Sequence, residues 1–270
     1  MSVRTVPESL RIEPDKVSAA IVTCIQGWLA EAGYTRIVLG LSGGVDSAVV
    51  ASLCVRAAGA SRVTPYLLPY RSSSPDSLDH ARKVASQLGL DPVTVDLTPM
   101  ADPFFAVRTP DPVRQGNVLA RLRMIVLFDA AREKTALVAG TGNKTETYMG
   151  YCTWYGDSAC SFLPIADLFK SQVWQLAEYL GLPEEVIHKA PTADLWPGQT
   201  DEGELGLTYD EMDLIIQALV DLRLTPEQVT SRGHERAIVT RVVETIRRTE
   251  YKRRLPPTAH LSAGPVTARA

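Results

Sequence analysis

Asp46 stands directly behind paired glycines, in the run Leu39-Gly40-Leu41-Ser42-Gly43-Gly44-Val45-Asp46-Ser47. Glycine has no Cβ, so Gly43 and Gly44 can take positive φ and bring backbone N–H groups close to a polyanion. A helix predicted to open at Asp46 and Ser47 turns its positive end to the same place. The loop therefore suits phosphate. A kinase-type loop carries a lysine after its last glycine, whereas here a carboxylate occupies that region. Carboxylate and phosphate share a site when a hard cation lies between them, and Mg²⁺ with oxygen ligands is the usual choice. The competing interpretation is an ordinary glycine-rich strand-to-helix turn.

A second small-residue loop, Gly140-Thr141-Gly142-Asn143-Lys144-Thr145-Glu146, offers the hydroxyl of Thr141 and the carboxylate of Glu146. With Asp46, these groups could share one Mg²⁺. Lys170 falls near the start of a helix predicted over residues 167–180. A cation is unfavourable at that end of a helix and requires an anionic partner.

For these groups to meet, both loops must lie at one end of a sheet. Residues 36–41 are short, aliphatic and closed by glycine, as a buried parallel strand should be. Further strands are predicted over residues 63–68, 92–97 and 136–139, with Pro65 placed near a strand start or at an edge. Helices are predicted over residues 16–32, from 46 to about 59, from a cap at Asp76 to 88, and over 115–134. The alternation implies right-handed crossovers and an α/β fold: a parallel sheet sandwiched by helices, Rossmann-like, with C-terminal helices over residues 209–222 and 235–248. Ligands of such sheets gather at the carboxyl ends of the strands. Residues 98–113 contain prolines and break the pattern. Residues 190–206 have no period and suggest a lid, mobile without ATP. The helix over 115–134 is apolar nearly all round, which fits either a dimer seam or a sheet-covering helix. Residues 1–15 are expected to form a flexible arm, 16–256 one domain, and 257–270 a flexible tail.

Composition excludes several classes. The 270 residues are 45% hydrophobic and 22% charged, with net charge −3, so nucleic-acid binding is not expected. No stretch is long and apolar enough to span a membrane, and the N-terminus has no signal-peptide pattern. Cys24, Cys54, Cys152 and Cys160 form no Cys-x-x-Cys pair, so neither zinc nor a disulfide framework is expected and a reducing cytoplasm fits. Cys24 and Cys54 are expected in the core rather than as nucleophiles.

Ser42 to Ser47 resembles the signature of the N-type ATP pyrophosphatases. With residues 115–124, 140–146, 155–157, 164–170, 190–194, 198–202 and the pair Tyr251-Lys252, in that order, the chain resembles the ammonia-dependent NAD synthetases. The resemblance implies a homodimeric carbon–nitrogen ligase that adenylates the nicotinate carboxylate of deamido-NAD and lets ammonia displace AMP. It implies that residues 40–47, Thr141, Lys170 and Thr192 bind ATP and that Asp46 and Glu146 ligate Mg²⁺. Asn117, Arg121, Trp154, Ser161, Tyr251 and Lys252 then belong to the deamido-NAD site. Arg121, in an apolar helix, would gain an anion to face. Asp46, Lys170 and Asp157 would be catalytic, Asp157 by taking a proton from the incoming nitrogen. A turn-capping role for Asp157 is the alternative.

Two residues depart from the family pattern, Trp154 and Ser161, where many members carry lysine and aspartate. They leave open a related adenylating amide synthetase that uses a different carboxylic acid. A nucleotide-binding module without catalysis fits less well, because two metal carboxylates would be superfluous to it. The resemblance covers no glutaminase, so free ammonia or a separate glutaminase partner is implied.

Overall fold

A computed structural model describes residues 6–192 and 200–259. Four parallel strands, β1 (Arg36–Gly40), β2 (Val63–Leu67), β3 (Val93–Thr94) and β4 (Ala136–Ala139), form one sheet in the order β3-β2-β1-β4. The two loops singled out above leave β1 and β4, which are neighbours, paired from Arg36↔Ala136 to Leu39↔Ala139. They therefore emerge side by side.

Alternation along β1 feeds two cores. Ile37 and Leu39 join the apolar faces of α1 (Pro14–Ala32) and α2 (Val45–Ala58), while Val38 joins the other face. Each such side chain contributes about 1.5–3 kcal/mol when fully buried. Helix α2 is buried at Val45 and from Ser47 through Cys54, because it is wedged between the sheet, α1 and α7 (Lys170–Tyr179). The opposite face is covered by α5 (Pro112–Lys134), whose Ala130 and Ala131 pack against Val38 and Val138. Pro65 sits in β2 opposite Leu39, but β3 pairs only with Tyr66 and Leu67. The proline thus occupies a locally unpaired edge, where its missing N–H costs no ladder bond.

Four expectations are corrected. Residues 98–113 are not merely a break: Thr98–Arg108 forms α4, with Pro99 in the first turn and Pro103 inside. A first-turn proline lacks only an N–H that no helix satisfies, and Asp96 Oδ1 accepts from the Thr98 N–H at 2.9 Å. Residues 8–12 are no loose arm. Leu10 is fully buried, and Gln175 clamps the segment by accepting from the Ile12 N–H at 3.1 Å and donating to the Leu10 carbonyl at 2.9 Å. Cys24 is exposed, because α1 buries only the stripe through Ser18, Ile25 and Leu29, whereas Cys54 is in the core as expected. Ser74, not Asp76, holds the N-cap position of α3 (Pro75–Gln87).

The described chain also contains α6 (Lys144–Met149), α8 (Glu184–Ile187), α9 (Asp201–Leu205), α10 (Tyr209–Ile216), α11 (Pro226–Ser231) and α12 (Arg236–Arg248). Helix α10 continues through a π turn over Gln217–Asp221. The segment expected as a lid lies partly outside the described residues, at 193–199, as do residues 1–5 and the tail from 260 onward. The described flanks of that segment are tied together, with the Asp201 N–H donating to the Pro191 carbonyl at 3.0 Å. None of the helices among the described residues is long and apolar enough to cross a membrane.

Candidate active site

Both loops open into a cleft of about 770 Å³ at the carboxyl ends of β1 and β4. At the first loop, Gly43 has φ +78° and packs so tightly that an added Cβ would lie 2.1 Å from the Ser77 carbonyl oxygen. Gly44 is the N-cap of α2. Ser42 and Ser47 brace the turn, their hydroxyls 3.1 Å apart and the Ser47 hydroxyl donating to the Gly44 carbonyl at 3.0 Å. At the second loop, a Cβ on Gly140 would lie 2.7 Å from Cys160 Sγ. Both turns need glycine for close approach of chain to chain.

Asn143 fastens one loop to the other. Its side-chain oxygen accepts from the Glu146 N–H at 2.9 Å, and its Nδ2 donates to Asp46 Oδ1 at 2.9 Å. Glu146 Oε2 accepts in return from the Asn143 N–H at 3.4 Å, completing a capping box at the start of α6.

Lys170 enters between the two carboxylates. Its ammonium lies 2.5 Å from Asp46 Oδ2 and 3.2 Å from Glu146 Oε1, on a side chain that is 3% exposed. This is the anionic partnership that its place at the start of α7 requires. Burial opposes the charge on Lys170, but Asp46 and Glu146 outweigh it and hold the ammonium pKa above its ordinary value. Burial pushes the Glu146 carboxyl up to about 7, against the pull of Lys170. The start of α7 is itself anchored by Asp213, fully buried, which accepts from the Ser171 N–H at 2.8 Å and from the Thr145 hydroxyl. Thr145 Oγ1 in turn accepts from the Lys170 N–H at 3.1 Å.

The ligating atoms that Asp46 and Glu146 offer are carboxylate oxygens, with the Lys170 ammonium beside them. Among the described residues no group of three or more His, Cys, Asp or Glu side chains makes a self-sufficient cage. Two carboxylates with open coordination left for phosphate oxygens are what Mg²⁺ takes in phosphate-transfer sites. The residues fit that ion.

Comparison with known proteins agrees with this geometry. The profile of the NAD synthase family matches residues 17–256. The chain belongs to the NAD synthase family. A protein of Fusobacterium nucleatum named NH(3)-dependent NAD(+) synthetase is 47% identical over 227 residues, covering 84% of this chain and 88% of that one. Among solved structures, an NMN synthetase from Francisella tularensis superposes with TM-score 0.82 at 33% identity, covering 93% of this chain and 100% of that one. An NH3-dependent NAD synthetase from Campylobacter jejuni superposes with TM-score 0.79 at 30% identity, with the same coverage of 93% and 100%.

Within this member of the NAD synthase family, the cleft collects Gly40, Leu41, Ser42, Gly44, Val45, Asp46, Ser47, Asn117, Thr141, Glu146, Asp157, Lys170, Thr192 and Lys252. Gly43 supports the loop from behind. Asp157 Oδ1 accepts from the Thr153 N–H at 2.7 Å, so it caps its turn and faces the cleft at once. Lys252 Nζ donates to the Gly150 and Cys152 carbonyls at 2.8 and 2.7 Å.

Four expected substrate residues do not line this cleft. Arg121 is exposed rather than buried, because it projects from the outer side of α5, and it donates to the Trp154 carbonyl at 3.2 Å. Trp154 stacks on Tyr155 with ring centroids 4.5 Å apart and meets Tyr251 edge-on at 5.2 Å. The Ser161 hydroxyl accepts from the Val138 N–H at 3.0 Å and so extends the edge of β4.

Sequence reasoning missed Asn143, Lys189, Asp201 and Asp213. Lys189 lines the cleft and donates to Ser77 Oγ at 2.7 Å. Asp201, 4% exposed, accepts from the Tyr209 hydroxyl at 2.9 Å. An Asn-x-x-Glu capping pattern was the available signal for Asn143, and a lone acid among Met212, Leu214, Ile215 and Ile216 was the signal for Asp213.

Proposed function

We propose that this chain makes NAD by amidating deamido-NAD with ammonia, at the expense of ATP, which leaves as AMP and pyrophosphate. The observation that carries this reading is the Lys170 ammonium held between Asp46 and Glu146 where two glycine loops meet, in a chain of this family.

The nicotinate carboxylate is a poor electrophile and must first be activated. The glycine loop and the positive end of α2 hold the phosphates of ATP, and Thr141 and Thr192, which line the same cleft, touch the nucleotide. Asp46 and Glu146 would hold Mg²⁺, which would supply charge neutralisation of the phosphates and of the departing pyrophosphate. Lys170 adds a fixed positive charge beside it. The carboxylate oxygen attacks the α-phosphorus, and the bond to pyrophosphate breaks. Ammonia then forms the C–N bond as AMP leaves, and Asp157 takes the surplus proton. Asn117 and Lys252 bind deamido-NAD inside the cleft, and Trp154, Tyr251 and Arg121, which gather outside it, contact the part of the dinucleotide that extends beyond.

Ammonia arrives free or from a separate glutaminase. A second copy of the chain covers the outer side of α5, where Ile125 and Phe128 are 50% and 39% exposed. All four cysteines are free thiols, which suits a reducing cytoplasm.

The test is an assay with ATP, Mg²⁺, ammonia and deamido-NAD. Equal amounts of NAD, AMP and pyrophosphate are expected; ADP as product, or no NAD, overturns the reading. The alternative, an amide synthetase for a different carboxylic acid, gains one observation from the similarity to the Francisella NMN synthetase. Comparing kcat/KM for deamido-NAD and for the acid counterpart of NMN separates the two. A preference for deamido-NAD is expected.

A further inference from the structure

Asp201 is absent from the roles assigned above, yet it is the most conspicuous unpaired group at the site. It begins α9, lines the same cleft as Asp46, Glu146 and Lys170, and is 4% exposed. One oxygen, Oδ2, accepts from the Tyr209 hydroxyl at 2.9 Å. The other, Oδ1, is buried without a hydrogen-bond partner. A buried carboxylate oxygen left unsatisfied costs free energy and indicates a donor that belongs to a ligand.

The neighbourhood says which kind. The Tyr209 hydroxyl that holds Asp201 lies 3.5 Å from Glu146 Oε1, so a single phenol oxygen separates the two carboxylates. The hydroxyl of Tyr151, the other polar group nearby, donates to Glu204 Oε2 at 2.5 Å and stands close enough to act on the Asp201 carboxyl, yet it completes no hydrogen bond to Oδ1. Three carboxylates of this group share one buried ammonium, on Lys170, which among the described residues pairs with Asp46 and Glu146 and stands over the Tyr209 ring at 5.0 Å. The carboxylates thus outnumber the one ammonium beside them, as a divalent-cation site would require. Asp201 does not stand close enough to the other two to complete a direct cage. It can act one water further out.

We propose that Asp201 is an outer-shell residue of the divalent-cation site, its free Oδ1 accepting a hydrogen bond from a water on the ion that Asp46 and Glu146 ligate. Outer-shell carboxylates of this kind orient the inner shell and raise metal affinity. The inference rests on the ATP-dependent reading of the cleft, but its test needs no turnover.

The experiment measures Mn²⁺ binding to the full chain by electron paramagnetic resonance, in the presence of α,β-methylene ATP, which cannot release pyrophosphate. Asp201→Asn keeps the shape and the tie to Tyr209 while removing the charge. It should weaken Mn²⁺ binding by about ten-fold or more. Binding of the nucleotide analogue without cation should stay unchanged or tighten, because one negative charge near the phosphates is gone. Glu202→Gln serves as a control: it perturbs the neighbouring bond from Glu202 to the Tyr209 N–H, at 2.8 Å, without touching the cluster. It should leave Mn²⁺ affinity within about two-fold of the unmodified chain. Asp201→Ser provides a second removal of the charge, should Asp201→Asn fold poorly, and must show the same loss.

Unaltered Mn²⁺ affinity in a folded Asp201 variant overturns the proposal. An equal loss in Glu202→Gln also overturns it, by assigning the effect to the α9–α10 junction. Absence of NAD formation with the Asp201 effect intact would reject the amidation reading and leave the cation role standing; NAD formation with cation affinity unmoved would do the reverse.

Discussion

Replacing Lys170 by methionine keeps the apolar stem and deletes the ammonium, which lies 2.5 Å from Asp46 and 3.2 Å from Glu146 on a side chain 3% exposed. Breaking a buried ion pair by removing one partner costs about 3–5 kcal/mol, because the remaining charge is left uncompensated. For a chain of this size each kcal/mol lowers Tm by about 2–4 °C, so a fall of about 6–20 °C is expected. The loss should depend on pH. Glu146 already has its pKa raised to about 7 by burial, and removal of Lys170 raises it further. A carboxyl whose folded pKa is raised favours folding when protonated, and that contribution is lost as pH rises through the folded value. The deficit of Lys170→Met relative to the unmodified chain should therefore be smaller at pH 5.5, where the lost pair with Asp46 remains, and largest above pH 8. Thermal melts with a chelator present, followed by circular dichroism across that range, provide the measurement. Mg²⁺ should then restore more stability to the variant than to the unmodified chain, since it replaces the missing counter-charge. NAD formation should fall by about 10²–10³-fold. A variant that melts like the unmodified chain at every pH would refute the view that Lys170 holds two buried carboxylates together.

Gly43→Ala should destabilise by about 2–4 kcal/mol and weaken ATP binding, since it combines a left-handed backbone with a Cβ at 2.1 Å from the Ser77 carbonyl. Gly44→Ala, where the nearest atom is Ser42 Oγ at 3.4 Å, should cost under about 1 kcal/mol; denaturant titration of the pair tests the contrast. Alkylation at pH 8, read by mass spectrometry, should modify exposed Cys24 first. Cys54, pushed up to about 12 by burial, and Cys152 and Cys160, both raised to about 11, should lag far behind. Ile125→Glu with Phe128→Glu should convert a dimer to monomers in analytical ultracentrifugation while leaving the fold intact, because both side chains are exposed on α5; an unchanged sedimentation coefficient would remove α5 from the interface.

Much of this architecture was legible because it depends on local signals. The apolar strand closed by glycine at Gly40, the paired Gly43 and Gly44, and the periodicity of α2, α5 and α7 each reflect constraints within a few residues. The demand of Lys170 for an anion was also readable, from its place at a helix start. What escaped depends on distant chain. Helix α4 was hidden by its prolines, one of which sits in the first turn, where it does little harm. Leu10 looked solvent-bound until Gln175, far along the chain, proved to clamp it. Arg121, which the resemblance places in the deamido-NAD site, was expected to be buried because its helix is apolar nearly all round, but periodicity does not say which side another layer covers. Asp201 lies in the matching stretch 198–202, but nothing local gives it a role; the return of Tyr209 to its side shows it to be buried.

The amide of Asn143, bonded to both Asp46 and the start of α6, has a consequence for ion choice. Its side chain ties Asp46 Oδ1 to the backbone N–H of Glu146, so the two loops that carry the acids are spaced by a stiff strut rather than by whatever occupies the gap. A rigid gap discriminates by size: Mg²⁺ demands short, near-octahedral bonds, whereas Ca²⁺ prefers longer bonds and more ligands from a yielding frame. Calcium should therefore be a poor substitute, and loosening the strut, as Asn143→Ala would do, should narrow the difference between the two ions.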